Sequence, residues 1–281
     1  MLREPDAPRT IPGSLPMLSA IAAVVEAASE LVQQMQRDPV HDWQKVDDSP
    51  VTDIDIAVDR FLCQHLRPLF PEAGWLSEET ADDPSRLGYR YLWVVDPIDG
   101  TRSLLAGLPE FCISVALVES GVGPRLGIIA NPSTGERFLA QSGKGAYDQN
   151  GRRLQVRSAF DAQDMRLLVS RSDLSAGLWQ GVVPHEFITP VGSLAYKMGL
   201  VATGAYDGHV TPTPRSEWDA AAGALILAEA GGISTDLGAL PLRYNQSVPR
   251  YDGMVVASHA SHAHMLALGA RTTYTAAALR P

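Results

Sequence analysis

Cysteine is nearly absent: Cys63 and Cys112 are the only two among 281 residues. Neither has neighbours that would make a zinc site, a redox pair or a disulfide framework, so a reducing compartment fits and a cytoplasmic location is expected. Long apolar runs are missing as well. The richest stretch, residues 17–28, is too short to cross a bilayer and contains Glu26, so no transmembrane segment is expected. Pro5, Pro8, Pro12 and Pro16 interrupt the order of a secretory signal. Grouped positive charge is also lacking. A net charge of -9 argues against a nucleic-acid polymer or an anionic membrane as partner, because phosphate polymers need clustered Lys and Arg. An acidic chain can still hold a small phosphate through metal ions.

Apolar residues are plentiful, at 45% of a chain long enough for one large or two modest domains. Leu18, Ile21, Val25, Ala28, Val32 and Met35 recur at steps of three and four, which predicts a helix ended by Pro39. A second helix is predicted over 51–66, with Thr52 as N-cap and Val58, Phe61, Leu62 and Leu66 inward. Strands are predicted at 91–95, 112–118, 125–130 and 137–140, separated by Gly and Pro turns in the manner of antiparallel sheet. Beyond Phe160 strands alternate with helices: 166–170, helix 194–203, 206–210, helix 219–229 and 253–258. This alternation points to a second layered α/β unit. The expected division is 1–158, an α+β half, and 159–281, an α/β half. Residues 1–16 and the tail after Leu266 are expected to fray. His259, His262 and His264 read as solvated or helix-capping residues rather than ligands.

The chemistry concentrates in acids. The apolar run Trp93-Val94-Val95 delivers Asp96-Pro97-Ile98-Asp99-Gly100-Thr101, where Pro97 and Gly100 bend the backbone so that both carboxylates and the Ile98 carbonyl can face one hard cation. The amides of Gly100 and Thr101 then open a helix toward an anion. An Asp-Pro turn that merely caps a helix reads the same locally. Other acids sit in similar places: Ser77-Glu78-Glu79-Thr80 after a short apolar stretch, Trp218-Asp219 at a helix start, and Asp53 and Asp55 at the head of the second predicted helix. Taken singly, each reads as a solvated acid or a cap.

As a set, Asp96-Pro97-Ile98-Asp99-Gly100-Thr101 and Trp218-Asp219-Ala220-Ala221-Ala222-Gly223, with Ser77-Glu78-Glu79 upstream and Gly192-Ser193 between, resemble the inositol monophosphatase superfamily of Mg2+-dependent, lithium-sensitive phosphatases. The resemblance runs from about Lys45 to about Ala257. It implies an α+β fold, a layered αβαβα sandwich of the sugar-phosphatase type, with most metal ligands in 1–158 and Asp219 and the substrate-recognition residues in 159–281. It also implies two Mg2+ ions per site, or three. One lies between Glu78, Asp96 and the Ile98 carbonyl, the other among Asp96, Asp99 and Asp219. A nucleophilic water would be polarised by Glu78 and held by Thr101, whose hydroxyl is oriented by Asp55, with Asp53 the local competitor. Gly100 and Thr101 would receive the phosphate, and Lys45 lies where relatives carry a mobile loop over the metals.

The departing alcohol is harder to read. In the inositol branch an acid a few residues before Trp-Asp contacts polyol hydroxyls, but here the approach is Thr211-Pro212-Thr213-Pro214-Arg215-Ser216, without an acid. Gly192-Ser193-Leu194-Ala195-Tyr196-Lys197 resembles the bisphosphate-nucleotidase branch, where Lys197 as point charge and Arg215 as fork could bind a second phosphate; surface charge is the plain alternative. Arg102-Ser103-Leu104-Leu105 departs from that branch, and Gly107-Leu108-Pro109 is closer to inositol and histidinol-phosphate phosphatases. The expectation is removal of the 3'-phosphate of 3'-phosphoadenosine 5'-phosphate by a monomer or homodimer. Alternatives are an inositol-1-phosphate or histidinol-phosphate phosphatase, or a phosphoryl-ligand sensor without turnover.

Overall fold

The first apolar stripe forms the inner face of α1 (Leu15–Met35) in the computed structural model, which describes residues 15–45 and 49–272. After α1 come β1 (Asp42–Gln44) and β2 (Pro50–Thr52), an antiparallel pair with Trp43 opposite Val51. The next helix, α2 (Asp53–Leu66), starts two residues later than the pattern predicted, because Val51 is claimed by this ladder. Thr52 is its N-cap as expected, and its side chain and that of Asp55 exchange bonds with each other's backbone amides.

Six strands then form one sheet: β3 (Ala73–Ser77), β4 (Tyr91–Asp99), β5 (Cys112–Glu119), β6 (Gly123–Ala130), β7 (Arg137–Gln141) and β8 (Gly145–Asp148), in the order β3-β4-β5-β6-β7-β8. A short helix, α3 (Thr101–Leu105), leaves the end of β4. The pairing is antiparallel as predicted except between β3 and β4, which run parallel from Ala73↔Tyr91 to Ser77↔Val95. β4 also outruns its predicted end at residue 95 and reaches Asp99 through a register shift between Asp96 and Asp99. Such a bulge re-aims side chains.

The second half contributes β9 (Leu167–Val169), α4 (Arg171–Ser175), β10 (Ile188–Pro190), α5 (Leu194–Ala202), β11 (Gly208–Thr211), β12 (Arg215–Ser216), α6 (Glu217–Glu229), β13 (Gly232–Asp236), β14 (Arg250–Tyr251), β15 (Met254–Ser258) and α7 (His262–Arg271). Five of these strands make a mixed sheet in the order β10-β9-β11-β15-β13, while β12 and β14 pair separately. The expectation of fraying after Leu266 is corrected: α7 continues to Arg271, since Leu268 packs inward beside Met265. The expectation for 1–16 is corrected at Leu15 and Pro16, where α1 already begins, while 1–14 and 273–281 lie outside the described residues. His262 meets the Thr235 hydroxyl at 2.9 Å, and His264 lies against Phe160.

Side-chain alternation along the strands explains the stacking. Tyr91, Trp93 and Val95 of β4 pack with Ile21, Val25, Val58 and Leu62 of α1 and α2, while Leu92 and Val94 face α5 and α6. A strand buried on both faces reads as an unbroken apolar run, which is why 91–95 was legible. Across α5 and α6, the same cluster continues into Leu168, Met254 and Val256 of the second sheet, whose other face packs Leu167, Val210 and Val255 against Met265 and Leu268 of α7. The layers are therefore αβαβα, as the resemblance implied. The middle layer is thin because α6 is built from Ala220, Ala221 and Ala222, all fully buried. It lies so close to β6 that a side chain at Gly127 would come within 2.9 Å of the Ala222 carbonyl. Among the described residues, no helix is long and apolar enough to cross a membrane.

Candidate active site

Three elements bring their ends together. The bulge in β4 carries Asp96, 1% exposed, with one carboxylate oxygen accepting from the Ile98 amide at 3.0 Å and the other buried without any hydrogen-bond partner. Glu78 follows β3, its amide bonded to the Val95 carbonyl at 3.2 Å. Asp219 sits in the first turn of α6, where it accepts from the Ser216 amide at 2.9 Å. One oxygen from each of Glu78, Asp96 and Asp219 lies within 4.8 Å of the other two. Asp99 borders this trio: one of its oxygens accepts from the Ser193 hydroxyl and the Ala195 amide, both at 2.6 Å, at the start of α5.

So many acids cannot all be ionised cheaply. Burial, then repulsion from Glu78, Asp99 and Asp219, pushes the Asp96 carboxyl well above the usual carboxylate range. Asp219 is lifted to about 7 by burial and by Asp99 and Glu78. Glu78 and Asp99 are raised by burial too, the first opposed by Lys45 and the second by its bonds to Ser193 and Ala195. An unpartnered buried acceptor costs about 1–3 kcal/mol, and a cation is the group that both completes it and cancels the repulsion. An all-oxygen donor set selects a hard divalent ion. These residues therefore fit a metal.

Beside the trio, Gly100 turns the chain with φ 105°, and a side chain there would strike the Glu110 carbonyl at 2.9 Å. That turn starts α3 at Thr101, whose hydroxyl donates to Asp55 at 2.8 Å and lies 3.2 Å from the Ile98 carbonyl. Between the two local candidates, it is Asp55 that accepts from Thr101, while one Asp53 oxygen is buried without a hydrogen-bond partner. Burial raises the Asp55 pKa against the pull of Thr52 and Thr101. Lys45 extends into the site and pairs with Glu78 at 2.7 Å and Glu79 at 2.6 Å. Burial opposes its charge, yet these two carboxylates hold its pKa above the ordinary lysine value. Within the expected loop around Lys45, Val46, Asp47 and Asp48 lie outside the described residues.

The substrate-side expectations change most. Ser193 caps α5 and serves Asp99. Lys197 is no open point charge: it is wholly buried, and its ammonium donates to the Ser170 hydroxyl (3.0 Å) and to the Val191 (3.1 Å) and Gly192 (2.6 Å) carbonyls. Burial, then Arg215, lowers its pKa to about 7. It supports the Gly192 turn from below. Arg215 remains half-buried, 3.9 Å from Asp173. Two acids went unassigned by the sequence reading. Glu79 is the second anchor of Lys45, and Glu110 accepts from the Gly192 amide at 3.0 Å while pairing with Arg171 through both oxygens. Both stand beside motifs that were read, in Ser77-Glu78-Glu79 and Pro109-Glu110-Phe111, but nothing local distinguishes them from solvated acids. None of Glu78, Asp96, Asp99 and Asp219 lines either of two surface grooves, of about 640 Å³ beside Val122 and Tyr244 and about 570 Å³ beside Arg152 and Arg157.

The profile of the inositol monophosphatase family matches residues 15–275. The chain belongs to that family. It is a phosphoric monoester hydrolase of the family, whose members generally depend on Mg2+, and the sensor alternative gives way. One relative is a 3'(2'),5'-bisphosphate nucleotidase CysQ of Aggregatibacter actinomycetemcomitans, 32% identical over 82% of this chain and 88% of its own. Another is a histidinol-phosphatase of Chlorobaculum parvum, 31% identical over 90% and 96%. Among solved structures, the Thermotoga maritima IMPase matches 92% of this chain and 98% of its own with a TM-score of 0.78 at 24% identity, a likeness of fold alone.

Proposed function

We propose that this phosphatase uses Mg2+ to remove the 3'-phosphate of 3'-phosphoadenosine 5'-phosphate, in the cytoplasm. The observation that carries the metal assignment is the convergence of Asp96, which has one buried oxygen without a partner, with Glu78 and Asp219. The nucleotide assignment is supported by the relatives named as 3'(2'),5'-bisphosphate nucleotidases at 30–34% identity. In this reading Glu78, Asp96 and the Ile98 carbonyl hold one ion, and Asp96, Asp219 and the free oxygen of Asp99 hold a second. When bound, Mg2+ neutralises charge on the phosphoryl oxygens and acidifies water.

The chain's own groups do the rest. Thr101 gives its proton to Asp55, so its oxygen lone pairs are left to accept from an attacking water, and the raised pKa of Asp55 makes it the better proton acceptor behind them. Glu78 is the second acceptor for that water. Gly100 and Thr101 present backbone amides to the phosphoryl group. Arg215 faces the leaving side, while Lys197 acts indirectly through the Gly192 turn.

A second reading, a polyol or histidinol phosphate, rests on the histidinol-phosphatase relative and on Gly107-Leu108-Pro109. Phosphate release from the bisphosphate nucleotide, inositol 1-phosphate and histidinol phosphate at one Mg2+ concentration decides between them. The nucleotide is expected to give the highest kcat/KM, with release abolished by Asp99→Asn. A preference for either of the others overturns the substrate and leaves the phosphatase.

A further inference from the structure

Asp59 lies one helical turn after Asp55 on α2, and nothing in the reaction as described uses it. Residues four apart share a helix face, so the two carboxylates point the same way. Asp59 is 6% exposed, and no basic side chain pairs with it among the described residues. Each of its oxygens instead takes one hydroxyl: Ser77 donates at 2.5 Å and Thr80 at 2.7 Å. Those two residues bracket Glu78 and Glu79. The Thr80 hydroxyl in turn accepts from the Trp75 indole at 3.4 Å.

We propose that Asp59 is the positioning residue for Glu78, gripping the chain on both sides of this ligand so that its carboxylate is held at the height of Asp96 and Asp219. The inference rests on the metal-dependent reading above. β3 ends at Ser77, and past it the ladder contributes only the bond from the Glu78 amide to Val95. The backbone that carries Glu78 is thus free to shift unless something beyond the sheet restrains it. Asp59 supplies that restraint from α2, the same helix whose Asp55 holds Thr101. One rigid element therefore sets the spacing between Glu78 and Thr101, the two acceptors assigned to the attacking water. The chemistry also explains why the residue is an acid. Two hydroxyl donors converge on it, and a carboxylate offers two acceptor oxygens where an amide offers one.

The test compares Mg2+ affinity, measured by calorimetry without substrate, with the melting temperature of the metal-free protein in Asp59→Asn and Thr80→Val. Removing an outer hydrogen-bond partner of a ligand typically weakens metal binding by about 10–100-fold. Asp59→Asn is expected to lose at least about tenfold in Mg2+ affinity, Thr80→Val less, and the double variant no more than Asp59→Asn alone. Thr80 is exposed, so Thr80→Val keeps the test available if the Asp59 variant does not fold. Lower melting temperatures with unchanged Mg2+ affinity in both variants overturn the inference and leave the phosphatase reading standing. If the wild type binds Mg2+ but hydrolyses no phosphomonoester, the functional reading fails while the affinities still decide the role of Asp59. A wild type that binds no Mg2+ overturns both.

Discussion

Replacing Asp55 by Asn separates catalysis from folding. One oxygen of Asp55 accepts from Thr101, and the other accepts from both the amide and the hydroxyl of Thr52. An amide has one acceptor oxygen. If it faces Thr52, its NH2 group meets the Thr101 hydroxyl, which must then turn its proton to the Ile98 carbonyl 3.2 Å away. If it faces Thr101, the half of the capping box that accepts from the Thr52 amide is lost, while the Thr52 hydroxyl still accepts from the backbone amide at position 55. The cap is worth about 0.5–2 kcal/mol, but burial raises the Asp55 pKa, so a neutral side chain also relieves a desolvation cost. The net shift in melting temperature is expected to be within a few degrees, at roughly 2–4 °C per kcal/mol for a chain of this size. The rate effect is far larger. A proton acceptor of this kind contributes about 10²–10⁴-fold, equivalent to about 2.7–5.5 kcal/mol of barrier. Mg2+ affinity is expected to stay within about threefold by calorimetry, because Asp55 is not among the converging ligands, a factor well under the 1.4 kcal/mol that a tenfold change represents. Thr52→Ala is the matched control: it removes the cap but leaves the bond from Thr101 to Asp55, so it should lower the melting temperature while keeping kcat. The reasoning is refuted if Asp55→Asn retains wild-type kcat for phosphate release, or if Thr52→Ala loses as much.

Asp96→Asn should raise the melting temperature of the metal-free protein and lose Mg2+ binding at least about 100-fold, since it replaces an unpartnered buried carboxylate with a group that can donate to Glu78 or Asp219; a lower melting temperature by calorimetry would contradict the account. A pH dependence follows from Asp219 and Glu79, each lifted to about 7, first by burial. Their folded pKa exceeds the unfolded value, so the folded state binds more protons between about pH 4 and 7, and their stabilisation is complete below that window and lost as pH rises through 7. In chelator, the melting temperature should therefore fall from pH 5 to 7.5. Mg2+ binding at pH 6.5 should release protons, seen as a binding heat that varies with the ionisation heat of the buffer.

The legible parts of the sequence were those with a local physical signature. Trp93-Val94-Val95 announced a strand buried on two faces, and the stripe from Leu18 to Met35 announced α1, because each pattern matches its element's period. β3 was passed over since Ala73-Gly74-Trp75-Leu76-Ser77 is short and contains glycine, and its strand character comes from the parallel pairing with β4. Of the acids that the family motifs single out, Glu78, Asp96 and Asp219 converge in the fold and Asp99 borders them. Lys197 departs from its expectation because the resemblance of Gly192-Ser193-Leu194-Ala195-Tyr196-Lys197 presents it as a substrate-facing point charge, and only the tertiary fold closes Ser170, Val191 and Gly192 around it. Asp59 and Glu110 act through partners remote in the chain, so their own surroundings carry no mark of it.

Helix starts explain both why this acid cluster is tolerated and why each acid looked ordinary alone. Asp55 accepts from the Thr52 amide at the start of α2, Asp99 from the Ala195 amide in the first turn of α5, and Asp219 from the Ser216 amide ahead of α6. The first amides of a helix have no partner within it, and the aligned peptide dipoles place partial positive charge there. A carboxylate at such a position gains about 0.3–1 kcal/mol. Several helices opening toward one point thus give back part of what burying like charges costs, in addition to Lys45, which pairs with Glu78. The same acids are capping residues to a reader of the sequence and ligand candidates to a reader of the fold. Glu78 and Asp96 lack the first role: Glu78 follows β3 and pairs with Lys45, while Asp96 lies in a strand bulge where one oxygen accepts from the Ile98 amide and the other has no partner.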